Sequence, residues 1–378
     1  MGTLIRIAAL VVLVSLAAAA DDDDVADPAL VAMAPSPDVF RQKVESAGGR
    51  VDFVFEDDRP FAQCHASTIA EAGDGSLFCA WFGGTKEGDP DVAIWMSRFK
   101  DGAWSKPAVA AKVAQEAHWN PVLFRDPARG LFLFFKVGVD VPMWRQYWMK
   151  SAMQSAMQSA DDGATWSQPV ELVPGDVGGR GPVRSKPIIL LTGEWMAPSS
   201  TEAGGWKPFV DFSNDGGATW RRSQDFSIDP NVVKGDGAIQ PTVWESAPGK
   251  VHALMRTAAG FVARADSEDG GKTWTPLYKT DLPNNNSGID LLKLDDGRLL
   301  LIYNPVGKNW GARTPLTLAL SADNGATWKM IAHVETEPGE YSYPAIVKTS
   351  KGVAISYTWR RERVRSWQIP RGALEQKQ

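Results

Sequence analysis

One eight-residue phrase recurs along the chain at a fixed interval. Ser-x-Asp-x-Gly-x-Thr-Trp occupies Ser159–Trp166, Ser213–Trp220, Ser267–Trp274 and Ser321–Trp328, each copy starting 54 residues after the last. A constant period of this length means that one supersecondary unit is repeated. A degenerate copy, Ser-Arg-Phe-Lys-Asp-Gly-Ala-Trp, starts at Ser97 and keeps only Ser97 and Trp104 in register. It lies 62 residues before the next copy, and the excess of 8 falls at 151–158, where Ser-Ala-Met-Gln is written twice. The phrase reads as a turn. Asp and Ser bond nearby backbone N–H groups, Gly supplies positive φ, and Thr-Trp opens the next strand with an apolar anchor.

The phrase resembles the Asp-box of the sialidase family, which marks a six-bladed β-propeller, and the resemblance covers roughly residues 50 to 365. Six periods of 54 come to 324 residues, which favours six blades in a chain of 378. The fold expected is therefore all-β, a six-bladed propeller of four-stranded antiparallel blades joined by Asp-box turns. Its 16 Trp and 15 Phe suit inter-blade packing. Asp-boxes also occur in propellers that are not sialidases, so they speak to scaffold more than to chemistry.

Residues 1–20 read as a cleaved secretory signal: Arg6, an apolar run over Ile7–Leu16, then Ala18, Ala19 and Ala20 before the acidic Asp21–Asp24. A secreted or periplasmic protein without a membrane span is expected, because the run is short for a bilayer. Residues 21–49, rich in Ala, Pro and Asp, read as a poorly ordered linker. A single propeller over 50–368 and a C-terminal tail over 369–378 complete the division. A monomer is expected. A net charge of −5 argues against a nucleic-acid partner. Cys64 and Cys79 flank the Gly73–Gly75 turn, and a hairpin centred there pairs Cys64 near 84 and Cys79 near 69, so two separate thiols are favoured over a disulfide.

Each repeat divides into four strands, in blade one Cys64–Glu71, Ser76–Phe82, Val92–Met96 and a fourth after the degenerate box. Val51–Phe55 is placed in the last blade, closing the ring and removing an exposed edge. Strands one and three run the same way. The starts of innermost strands therefore share a face with the loops between strands two and three, and the boxes lie on the other face. His65, His118, Arg184, Gln240 and Tyr341 fall at innermost-strand starts, and Asp89, Tyr147, Arg256 and Arg313 at those loops. They converge on one mouth of the channel, where propeller ligands sit.

Arg256 and Arg313 aimed at one channel make a bidentate carboxylate clamp. Tyr341, in Gly-Glu-Tyr-Ser-Tyr-Pro, offers a phenol nucleophile where a carboxylate would be repelled by an anionic substrate. The resemblance implies an arginine triad, a Tyr–Glu pair and an Asp acid. Arg256 and Arg313 match the second and third arginines, and Tyr341 with Ser342 matches the tyrosine. The chain departs from that pattern at two places. His65, in Gln-Cys-His-Ala-Ser, stands where the first arginine belongs, unless Arg59-Pro60 is its remnant; Gln240 stands at the catalytic glutamate, leaving Glu245 or Glu340 to serve as base. Asp89 is favoured as the acid, with Asp91 and Glu87 as rivals. No His/Asp cluster has ligand spacing, so neither metal nor cofactor is expected.

The function expected is exo-hydrolysis of a terminal acidic sugar, sialic acid or related, from a glycan. Tyr341, Asp89 and Glu245 would be catalytic, and Arg256, Arg313, His65, His118, Arg184 and Gln240 would hold the substrate. His65 and His118 lie 53 residues apart, and paired imidazoles beside arginines also suit β-elimination from a uronic acid. A non-catalytic glycan-binding propeller is the third reading.

Overall fold

A computed structural model describes residues 25–151 and 165–375. The signal over 1–20, Asp21–Asp24, the tandem repeat from 152 onward and most of the box over Ser159–Trp166 lie outside the described residues. Six antiparallel sheets form the six blades of a propeller, each four strands wide. Blade 1 comprises Gln63–Glu71, Leu77–Gly84, Ala93–Lys100 and Ala103–Trp104, with Ala108–Ala111 also paired to its third strand. The innermost strands of blades 2, 4, 5 and 6 are His118–Asp126, Ala238–Ala247, Asp290–Lys293 and Tyr341–Lys348. Arg50–Phe53 pairs with Arg363–Pro370, Arg50 opposite Gln368 and Phe53 opposite Arg365, so the N-terminal strand completes blade 6 and closes the ring. No helix among the described residues is long and apolar enough to cross a membrane.

The box turns carry the bonds their sequence calls for. In the second copy the Asp215 carboxylate accepts N–H groups from Ala218 and Thr219 at 3.0 and 2.9 Å and the Thr219 hydroxyl at 2.6 Å. Ser213 Oγ accepts the Gly217 N–H at 2.8 Å, and Trp220 Nε1 donates to Gly217 O at 3.0 Å. The pattern recurs around Asp269 and Asp323. Blade 1 closes differently: Asp101 and Gly102, at φ +51° and +87°, form a two-residue hairpin turn between Lys100 and Ala103. With no box aspartate two residues on, the buried Ser97 hydroxyl has no hydrogen-bond partner among the described residues. Cys79 pairs with Ile69 and Cys64 with Gly83, and both thiols are buried and free.

A second backbone feature recurs at the opposite ends of the innermost strands. In blades 1, 2, 4 and 6 the ladder is interrupted by a bulge, His65 to Thr68, Trp119 to Val122, Ile239 to Thr242 and Ser342 to Ala345. Each bulge holds one residue in the left-handed region: Ala66, Asn120, Gln240 and Tyr343, at φ +54°, +40°, +54° and +50°. Three of these precede Pro121, Pro241 and Pro344, which cannot donate to the ladder and disfavour the right-handed helical region before them. A non-glycine residue there costs roughly 1–2 kcal/mol. The bulge turns that one side chain toward the channel.

The expected linker over 21–49 is corrected from residue 25 onward. α1 (Pro28–Val31) and α2 (Pro37–Ser46) form, and α2 carries its own start signal, with Ser36 as N-cap and Pro37 at the first position. Phe40 and Val44, one turn apart, are buried in the blade 5–blade 6 core, and Phe40 stacks on Trp367 at 5.5 Å. The expected tail also starts later. The last strand runs to Pro370, and α3 (Arg371–Leu374) buries Ala373 and Leu374 in the same cluster.

Candidate functional site

The channel mouth is built around Tyr343. Its ring lies 4.3 Å from the His65 ring, and the guanidinium carbons of Arg184, Arg256 and Arg313 stand 5.2, 5.7 and 5.7 Å from its centroid. Arg256 Nη1 donates to the Tyr343 hydroxyl at 2.7 Å and to Gln240 Oε1 at 3.1 Å, while its Nε donates to Asn286 Oδ1 at 3.0 Å. Gln240 and Tyr343 occupy equivalent bulges in blades 4 and 6, which explains how strands so far apart in sequence aim at one guanidinium.

Charge at this mouth is unbalanced. Arg313 is paired with Glu340 at 2.6 Å, and Glu340 is gripped from its other oxygen by Arg361 Nε at 2.9 Å. Arg361 also pairs with Glu87. Burial pushes the Glu340 pKa up, but Arg313 and Arg361 outweigh it and hold the carboxyl below its ordinary value. Arg184 and Arg256 differ. They are 1% and 3% exposed, and among the described residues neither has a salt-bridge partner. Arg184 donates to Pro344 O, its Nε has no hydrogen-bond partner among the described residues, and burial lowers its pKa to about 10. Two buried guanidiniums that feel Asp290 and Glu202 only at longer range, with no salt bridge among the described residues, make an anion-receptive wall. Burial, then the fields of Arg361, Arg313, Arg184 and Arg256, hold His65 well below the usual histidine range, so its ring is neutral at neutral pH. His65 Nδ1 is buried, 3.9 Å from Glu340 Oε1 and without a hydrogen-bond partner among the described residues.

The expected residues thus divide. Arg184, Arg256, Arg313, His65 and Gln240 come together. Tyr341 does not: its side chain is buried in the blade 6 core, and its hydroxyl meets Arg360 at 3.3 Å and Pro338 O at 3.4 Å. The bulge between Ser342 and Ala345 breaks the strand alternation and leaves Tyr341 on the far side from Tyr343, two residues on. Glu245 is also misplaced, at the other end of the innermost strand from Gln240, where its carboxylate caps the Leu191 and Gly249 N–H groups at 2.6 and 3.0 Å. In the loop over 85–91, Asp91 accepts the Thr85 N–H and hydroxyl, and Glu87 is held by Arg361. Asp89 is part-buried, and among the described residues no hydrogen bond or ion pair engages its carboxylate.

His118 is corrected to a structural role. Its Nε2 accepts the Val113 N–H at 2.9 Å, its Nδ1 faces Glu116 O at 2.9 Å, and it stacks on Phe135. Both nitrogens serve the loop over 113–118, so the near-period spacing from His65 reflects the fold alone. Burial lowers the His118 pKa to about 4. An unfolded chain protonates its histidines below about 6.5, so this group's stabilisation is present above that pH and lost as pH falls toward 4, on the order of 3 kcal/mol. We expect the thermal midpoint to drop over that window and His118→Gln to flatten part of the slope. An unchanged slope in the variant would remove the assignment.

Two parts of the mouth escape the sequence reading. Arg361 lies between the second and third strands of blade 6, the loop class that also supplied Asp89 and Arg256, and its position there was the available signal. The loop after Trp195–Thr201 in blade 3 brings Trp206, whose ring lies 5.6 Å from the Arg256 guanidinium, and Glu202. Burial raises the Glu202 pKa against the opposing pull of Arg256 and a hydrogen bond from Trp206.

Six closed blades, box turns on one face and an arginine-lined mouth on the other define a propeller of the sialidase-like superfamily. Residues 75–355 match the BNR repeat-like domain, and the chain belongs to that family. Solved structures share the fold. A protein of unknown function from Dyadobacter fermentans aligns with TM-score 0.67 at 18% identity, covering 85% of this chain and 99% of its own. The NanB sialidase of Streptococcus pneumoniae gives 0.64 at 14%, covering 85% of this chain and 71% of its own. The Trypanosoma rangeli sialidase, in complex with the inhibitor DANA, gives 0.65 at 14%, covering 86% and 60%. No curated protein sequence matches the chain.

Proposed function

We propose that the mouth binds the carboxylate of a terminal acidic sugar, sialic acid or related, and that the protein hydrolyses the glycosidic bond behind it. The observation that carries this reading is the pair of buried guanidiniums, Arg184 and Arg256, flanking Tyr343 without a salt-bridging carboxylate among the described residues. A substrate carboxylate supplies the missing charge. Tyr343 then faces the anomeric centre as a neutral nucleophile, with the Arg256 N–H directed at the oxygen where negative charge develops. Asp89 protonates the leaving oxygen. Glu202 shares the Arg256 neighbourhood, and a raised carboxyl pKa suits the base that Gln240 cannot be. Hydrolysis of sialosides by the neighbours named sialidases supports the substrate class. The pattern of residues 1–20 supports export from the cytosol, with the protein acting as a monomer on glycans outside it.

A second reading has its own observation. His65 is neutral, has an Nδ1 without a hydrogen-bond partner among the described residues and contacts the Tyr343 ring, which suits removal of a proton beside an arginine-bound carboxylate in β-elimination. Incubation with sialosides and with uronate-terminated oligosaccharides separates the two. We expect a free acidic monosaccharide and a new glycan end without ultraviolet absorbance. Absorbance of an unsaturated uronate would replace hydrolysis by elimination. Retained glycan binding with no turnover would leave a binding propeller and overturn both.

A further inference from the structure

On the box face of blade 4, far from the arginine mouth, three side chains from consecutive strands form a hydrogen-bonded line. Ser246 Oγ donates to His252 Nε2 at 2.7 Å, and His252 Nδ1 donates to Asp266 Oδ1. Asp266 is in turn fixed by Arg264 Nε at 2.9 Å and by the Tyr278 hydroxyl, and Arg264 Nη2 lies 3.2 Å from His252 Nδ1. This is the order nucleophile, base, orienting carboxylate, with the imidazole tautomer set by the carboxylate. Ser246 is partly exposed on the hairpin before Lys250, whereas His252 is buried.

The fold does not require these residues. At the ladder position of Trp244 and His252, blades 1, 2 and 5 place Ala70–Phe78, Phe124–Phe132 and Leu292–Leu300. Two residues further along, the counterparts of Ser246 are Ala72, Asp126 and Leu294. Apolar pairs therefore satisfy the same packing elsewhere in the ring. A fourth residue converges on the line from blade 5. At the fourth box position, where the second and third copies have Gly216 and Gly270, Asn324 takes φ +58°. Its Oδ1 accepts from Trp244 Nε1 at 2.7 Å and its Nδ2 lies 3.1 Å from His252 Nε2. Asn324 thus bonds the same imidazole nitrogen that accepts the Ser246 hydroxyl and fixes that edge of the ring.

We propose that Ser246, His252 and Asp266 form a second, acyl-ester-hydrolysing site on the box face. The Ser246 hydroxyl proton passes to His252 Nε2 as Oγ bonds to the ester carbonyl carbon. Collapse breaks the carbonyl carbon–alkoxy bond, and the departing alkoxide takes the proton from His252. Water then attacks the acyl-serine, its proton going to His252 and from there to the released Ser246 Oγ. The sum is ester and water to acid and alcohol. Ser246 lies on a surface hairpin, which suits a short acyl group such as acetyl on a bulky alcohol.

The test uses the full chain with a fluorophosphonate probe and with p-nitrophenyl acetate. Peptide mapping should place the phosphonyl adduct on Ser246, and Ser246→Ala, checked for an unchanged thermal midpoint, should lower enzymatic acetate release at least tenfold. Asp266→Asn should lower both readouts while leaving Ser246 in place. An intact protein with no adduct at Ser246, or a Ser246→Ala variant as active as the parent, overturns the proposal.

Discussion

Tyr343→Phe is expected to lower kcat on a terminal acidic glycoside by ~10³-fold or more, the scale seen when a nucleophile that acts as part of a unit is removed. The substitution deletes one oxygen. It leaves the ring among His65, Arg184, Arg256 and Arg313, so substrate binding and thermal midpoint should change little. Tyr341→Phe is the matching control. Its hydroxyl sits in weak bonds with Arg360 and Pro338 O, so its loss should cost about 1 kcal/mol of stability and leave kcat within about twofold. Steady-state kinetics on both variants with one substrate decide the matter. If Tyr341→Phe were inactive and Tyr343→Phe active, the centre of the site would be wrongly placed.

Arg256→Ala should have the next largest effect. One guanidinium holds Tyr343, Gln240 and Asn286, and its loss leaves two buried amides and the part-buried Tyr343 hydroxyl short of a donor besides removing charge from the mouth. We expect kcat/KM to fall ~10²- to 10³-fold, the scale for loss of a preorganised charge-stabilising donor, and stability to fall by ~1–3 kcal/mol from the unsatisfied partners. Arg256→Lys restores a point charge but not the fork, so it should recover only a small part of the activity. Full recovery by lysine would mean that charge alone matters there, and that the hydrogen bonds to Tyr343 and Gln240 are incidental.

The scaffold was legible because the box encodes its own hydrogen bonds. Asp215, Ser213 and Thr219 close their turn within eight residues, so period and fold could be read from local sequence. The site depends on longer-range facts. Tyr341 and Tyr343 both begin the same strand, and an uninterrupted strand would put them on one face; the bulge between Ser342 and Ala345 breaks that alternation. The repeated proline after the bulged residue, at 121, 241 and 344, was the available clue. His118 failed for a related reason: equivalence by period fixed its strand but not its direction. Asp89 and Arg361 both needed the loop between strands two and three, and only the structure shows which carboxylate Arg361 occupies. Helix α2 is signalled by Ser36-Pro37 and the Phe40/Val44 spacing, but the Ala, Pro and Asp that dominate 21–49 mask it.

The closing strand has a mechanical consequence. Arg50 faces Gln368, so the chain leaves this ladder toward both termini from the same end. Force pulling the termini apart would load those hydrogen bonds one at a time, like a zip, rather than all together in shear. The two terminal helices sit across that opening: α2 anchors Phe40 on Trp367, α3 buries Leu374 beside it, and Lys43 Nζ bonds Glu375 O at 3.0 Å. Together they form a clasp over the slider end of the zip, so the resistance of the whole ring to being drawn open rests on segments that contribute nothing to the mouth.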